Sequence, residues 1–163
     1  VAAERPRRTL RVVLFAGEET GVHGGRAYTQ AHAGERAVAA LEMDGGAGPV
    51  TRLGLDLRTA AGTPDPSALE RARARLAPFL PILEPLGVRE VVAGGTGADV
   101  AGLAAAGAVG VDVDQDTSGY WPVHHSAADT PDKVDPEVLR RVTAAVAVTA
   151  WILAELPEPL GAP

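Results

Sequence analysis

Leu10-Arg11-Val12-Val13-Leu14-Phe15-Ala16-Gly17-Glu18-Glu19 is the stretch whose reading decides the fold. Arg8 to Ala16 is rich in Val and Leu and predicts a strand buried on both faces. Gly17 ends it in a turn. Thr20-Gly21-Val22-His23-Gly24-Gly25-Arg26-Ala27-Tyr28 then leads into a short helix predicted over Gly24 to Ala33. Adjacent carboxylates at the end of a buried strand repel each other unless something offsets the repulsion. A bound cation would do so, with one carboxylate as ligand and the other near a metal-bound water. A surface turn whose acids face a helix N-terminus is the other reading.

Working outward, Arg36 to Met43 predicts a second strand that ends at Asp44-Gly45-Gly46. Val50 to Arg58 alternates Thr51, Leu53, Leu55 and Leu57 with Arg52, Gly54, Asp56 and Arg58, which suggests a half-exposed strand. A helical stretch starts at Pro66 and is interrupted at Pro78 and Pro81. Val88 to Ala93 is a short strand. Gly94-Gly95-Thr96-Gly97-Ala98-Asp99 is a Gly-rich turn opening a small helix, Val100 to Ala106. Ala108 to Val113 is a further strand, and a loop from Asp114 to Pro131 follows. The closing helix has Asp135 as N-cap and Pro136 at its first position. It runs to about Leu156, with Val138, Val142, Ala145, Thr149 and Ile152 on one stripe. Pro157, Pro159, Gly161 and Pro163 read as a frayed tail.

This alternation predicts an α/β domain with a largely parallel sheet and helices on both faces. Functional loops of such sheets gather at the carboxyl ends of strands. Glu18-Glu19, Asp44, Asp99 and His124-His125 each fall just after a predicted strand, so they are expected to converge. The 163 residues suit one domain with a substantial core. Hydrophobic residues reach 46% but aromatics only 4%, so aliphatic side chains and Ala must fill that core. A net charge of −6 argues against nucleic acid as a main partner. No apolar run is long enough to cross a bilayer. The absence of Cys excludes disulfides and thiolate zinc sites, so a metal here would need His and carboxylate ligands.

Two downstream motifs carry candidate chemistry. Asp44 precedes glycines that allow close backbone approach to a ligand, though Asp-Gly is also a common turn signal. Trp121-Pro122-Val123-His124-His125-Ser126-Ala127-Ala128-Asp129 places paired His in a long polar loop. They are natural metal ligands, with Asp129 able to orient an imidazole. A solvated loop with capping acids is the alternative. His23 and His32 read as exposed or partly packed.

Taken together, these motifs resemble the C-terminal half of a di-zinc exopeptidase, from the family of secreted aminopeptidases and carboxypeptidase Q. The resemblance rests on Arg8 to Glu19, Gly24 to Tyr28, Glu42-Met43-Asp44-Gly45-Gly46, Gly94 to Asp99, His124-His125-Ser126 and Asp129 to Asp135, in the family's order. It implies a three-layer αβα sandwich with a largely parallel mixed sheet, missing its N-terminal strands. Residues 1–163 would be the C-terminal part of a single zinc-peptidase catalytic domain. Carried over by motif, Glu18 is the general base, Glu19 and His125 are ligands of one zinc, and Asp44 is a ligand of the other. His124 stands where several members carry a tyrosine near the oxyanion, so it would donate there or simply pack. Tyr120 and Trp121 would line the specificity pocket or simply pack in the loop, and Asp99 matches an acidic position with a structural or substrate-pocket role.

The implied reaction is hydrolysis of short peptides by a metal-activated water, with two zinc ions in the complete enzyme. The implied location is extracytoplasmic, with the signal region not in this chain. The family also carries a His-x-Asp segment and a bridging Asp upstream of Glu-Glu. The 17 residues before Glu18 hold neither a His nor an Asp. Val1 is not a natural start, and Val1 to Arg8 reads as a helix end and linker, so upstream coding sequence is expected. An unpaired edge at Arg8 to Ala16 would invite self-association. Two rival functions remain at this point: a non-catalytic domain that binds peptides or partners, and a related di-zinc deacylase or glutaminyl cyclase-like acyltransferase.

Overall fold

Helices and strands alternate in the order α1 (His23–Ala31), β1 (Ala39–Glu42), β2 (Val50–Asp56), α2 (Pro66–Leu76), α3 (Leu80–Leu83), β3 (Val91–Ala93), α4 (Ala101–Ala105), β4 (Val109–Gln115) and α5 (Pro136–Glu155). They come from a computed structural model that describes residues 5–45, 48–59 and 61–163. Readings that fall on Val1 to Glu4 and on Gly46 lie outside the described residues. The strands form one mixed sheet in the order β1-β4-β2-β3. β1 is parallel to β4 and β2 to β3, while β2 and β4 run antiparallel.

The two-residue period of the strands sorts their side chains between two faces. Val109, Val111 and Val113 of β4 and Leu53 and Leu55 of β2 share one face. α2 covers it with Ala68, Ala72 and Leu76, and α5 with Val142, Ala145, Ile152 and Leu153. Both helices start as the sequence predicts. Asp65 accepts from Ala68 N at 3.0 Å, and Asp135 accepts from Glu137 N at 2.8 Å; each is followed by Pro at the first helical position. On the other face, Ala40 of β1 packs in a smaller cluster with Val100, Ala108, Phe15 and Leu103. α4 and α1 build this side, where Thr29 abuts Gly102. Helices thus lie on both faces, as expected of a three-layer αβα sandwich.

Arg8 to Ala16 departs from expectation. Among the described residues it pairs with no strand, and Val12 and Leu14 stand 90% and 93% exposed. An apolar run is buried on both faces only when a strand bonds its edge and helices cover it, and neither happens here. Arg8 anchors the run instead. Its guanidinium donates to the carbonyls of Leu156 at 2.5 Å and of Leu153 and Ala154 at 3.3 Å, satisfying the end of α5. Arg11 bonds Tyr28 Oη at 2.9 Å, and the Phe15 ring meets Tyr28 edge-on at 5.6 Å.

Three smaller corrections follow from packing. The C-terminal tail is not frayed: Arg75 donates to the carbonyls of Pro159, Leu160 and Ala162, and Leu160 is buried. β2 is an interior strand between β4 and β3, so Leu53, Gly54 and Leu55 are all buried. β4 extends to Gln115, which places Asp114 on the sheet rather than in the loop.

Candidate active site

Gly17 makes the turn after the apolar run, at φ +72°, a value that favours glycine. The turn is then locked by backbone bonds. Glu18 O accepts from Gly21 N at 2.9 Å and Val22 N at 2.8 Å, and Gly17 O accepts from His23 N at 3.1 Å. Glu18 ends half-buried and Glu19 exposed. α1 has no side-chain cap and no acid in its first turn. Glu19 reaches elsewhere: its Oε1 lies 2.9 Å from His125 Nε2, a partner 106 residues away.

His125 is carried by a chain of tight turns after β4. Tyr120 N donates to Thr117 O, His124 N to Tyr120 O, and Ser126 N to Val123 O, at 3.0, 2.9 and 3.1 Å. Ser126 Oγ donates to Val123 O at 2.6 Å and accepts from Ala128 N at 3.2 Å. His125 itself sits at φ 55°. The rings of Tyr120, His124 and His125 follow one another at centroid distances of 4.4 and 3.8 Å. Trp121 meets Tyr120 and His124 edge-on. The acid bonded to the His125 ring is Glu19 rather than Asp129, which is exposed.

Because β1 and β4 are parallel, Asp44 and the His loop leave the sheet at the same edge. β3 runs the other way, so its turn must cross the sheet to reach them. It does so on glycines. Gly94 lies on Gly54, Thr96 Oγ1 donates to Asp56 at 2.8 Å, and Gly97 lies against the Glu42 carboxylate. A side chain at Gly94 or Gly97 would collide with backbone or carboxylate. Val100 N then donates to Glu42 Oε2 at 3.0 Å. Asp99 is delivered half-buried beside Gly25 of α1. With Glu42 and Asp44 it lines a cavity of about 410 Å³ that opens against Val13, Leu14 and Phe15. A neighbouring cavity of about 230 Å³ is lined by Glu42, Asp44, Asp112 and Asp114.

The charge distribution reflects this gathering. Burial raises the Tyr120 phenol above its ordinary value, and the charges of Asp44, Glu19, Asp129 and Glu18 raise it further. Acids from three chain segments therefore lie close enough to act on one hydroxyl. Burial also raises Glu42, helped by Asp99 and Asp44 and opposed by the Val100 N–H. Asp112 is pushed up to about 6, first by burial and then by Asp114 and Glu42. Glu42, Asp112 and Asp114 escaped the reading of site residues from sequence. The signal for Asp112 and Asp114 was the Val-Asp-Val-Asp alternation of β4, which marks one polar face, and Glu42 stood in the motif that ends in Asp44.

Glu19 and His125 supply a carboxylate oxygen and an imidazole nitrogen, the donor types that zinc takes. Among the described residues no group of three or more His, Asp or Glu is placed to hold a metal ion. The pair thus fits zinc in kind, and in number it falls short of the three protein ligands of a catalytic site. His23 is exposed, and His32 is half-buried between Tyr28 and Glu35, as expected.

Comparison with known proteins bears on the family and the fold of the chain. The model of peptidase family M28 matches residues 1–150. Carboxypeptidase Q of Homo sapiens is 32% identical and that of Mus musculus 31%, over 96% of this chain and 31% of each relative. The chain therefore spans about a third of the length of these curated relatives. The crystal structure of a peptidase M28 precursor from Shewanella amazonensis SB2B superposes with a TM-score of 0.80 and 33% identity, over 98% of this chain and 34% of that one. With sequence and backbone in agreement along almost its whole length, the chain belongs to peptidase family M28.

Proposed function

We propose that the protein containing this chain is a zinc-dependent exopeptidase that removes terminal residues from short peptides. The meeting of Glu19 and His125 across 106 residues supports this reading most directly. In it, Glu19 and His125 hold one zinc and Asp44 holds the second. Zinc, when bound, acidifies water and polarises a carbonyl. Glu18, held half-buried by its turn, takes the proton from the attacking water. Tyr120, kept protonated among carboxylates, is a donor toward the substrate. Asp99 and Glu42 shape the cavity wall beside Asp44.

The remaining zinc ligands come from the part of the protein corresponding to the rest of the relatives' length. The relatives' name, carboxypeptidase Q, favours release of the C-terminal residue. On family resemblance we place the protein outside the cytoplasm. No helix among the described residues is long and apolar enough to cross a membrane.

The test is dipeptide hydrolysis by the full-length protein. We expect chelator-sensitive turnover, with Glu18→Gln lowering kcat by roughly 100- to 10,000-fold. The 163-residue chain alone is expected to be nearly inactive, its donor set being incomplete. A full-length protein that binds peptides without cleaving them would establish the binding-domain alternative instead.

A further inference from the structure

His125 occupies the left-handed region at φ 55°, a conformation that a residue with a side chain holds only when its surroundings impose it. Part of that imposition is backbone: the Ser126 hydroxyl bridges Val123 O and Ala128 N across the turn. The rest is aromatic. The His124 ring lies 3.8 Å from the His125 ring and 4.4 Å from Tyr120, tilted 31° to each. Trp121 closes on it edge-on at 5.4 Å, fixed by its own Nε1 bond to Thr117 Oγ1 at 3.1 Å. His124 is thus enclosed by three rings and half-buried, while the His125–Glu19 pair beyond it is exposed, at 60% and 68%.

An exposed imidazole in an open loop would rotate freely. A ring packed against its face removes that freedom before any ligand arrives, which lowers the entropic cost of binding. We propose that His124 is a positioning residue: with Tyr120 behind it, it sets the plane in which His125 presents Nε2 to Glu19. What His124 contributes is a flat ring. The positioning role calls on the ring rather than on its N–H groups, and so differs from the oxyanion role implied by family resemblance. The proposal rests on the reading of His125 as a zinc ligand.

The test separates ring from proton donor with three substitutions, His124→Phe, His124→Gln and His124→Ala. The full-length protein is labelled with ¹³C-histidine, and the His125 Cε1–H resonance is followed as zinc alone is added. Phe keeps the ring-current shift of His125 and holds zinc affinity within about 2-fold, whereas Gln and Ala abolish the shift and weaken zinc about 10-fold. In the full-length protein, Phe retains kcat and Gln loses it. The reverse order, Gln retained and Phe lost, overturns the proposal and makes His124 a donor. A His125 resonance that never responds to zinc sinks the ligand reading, and the ring-current shift across the three variants still decides the stack.

Discussion

Leu10 to Ala16 and Val109 to Gln115 are seven-residue runs that both read as strand-forming, with opposite fates. Val111 and Val113 of β4 are 1% exposed, bonded through β1 on one side and β2 on the other. Val12 and Leu14 are about as exposed as side chains become. Composition made both runs strand-like, and neighbours made only one of them a strand. The site joins the two. Glu18 and Glu19 follow the unpaired run, and His125 sits in the loop after β4. In the proposed reading, one half of the metal-holding pair therefore hangs from a run that pairs with no strand and the other from the loop after a doubly bonded strand.

The sharpest way to break this contrast is to remove the same side chain from each region. Leu53→Ala, at a fully buried position of β2, should cost about 2–5 kcal/mol in denaturant unfolding. Leu14→Ala should stay within about 0.5 kcal/mol. Equal losses would mean that the run is buried after all. A smaller effect belongs to the anchor between the regions. Arg8→Ala should cost about 1 kcal/mol by leaving the last carbonyls of α5 without their donor, read as a lowered melting temperature.

The smallest expected effect is a pH dependence confined to the well-held half. Asp112 has its folded pKa raised to about 6, above the ordinary carboxylate range it recovers on unfolding. The contribution of Asp112 to stability is therefore fullest at low pH and declines as pH rises from about 4 through about 6. Because Asp112 is only half-buried, solvent screening reduces the change to about 1 kcal/mol or less. Asp112→Asn should flatten melting temperature across that window. An unchanged slope would place the proton elsewhere on the polar face, with Glu42 the next group to test.

Local signals carried much of this structure. The caps at Asp65 and Asp135 are chemical, and their helices begin where the motifs say. The strand-end positions of Asp44 and the His loop follow from alternation, and the parallel pairing of β1 with β4 turns that into spatial proximity. What escaped is non-local. Nothing in Arg8 to Ala16 says whether a neighbour will bond it. Nothing in Gly94 to Asp99 says that the glycines serve a crossing over Gly54 and Glu42 rather than a ligand. Asp114 was read into the loop because a charged residue looks like a strand end, whereas on a polar sheet face it pairs with Arg52 at 2.6 Å.

The central claim is that Glu19 and His125, though far apart in sequence, form one metal-holding unit. Zinc content of the purified full-length protein tests it most directly, measured for Glu19→Ala, His125→Ala and the double substitution. The account predicts that each single substitution releases zinc to the same extent and that the double releases no more from that site. Single variants that both retain the wild-type zinc content would contradict it.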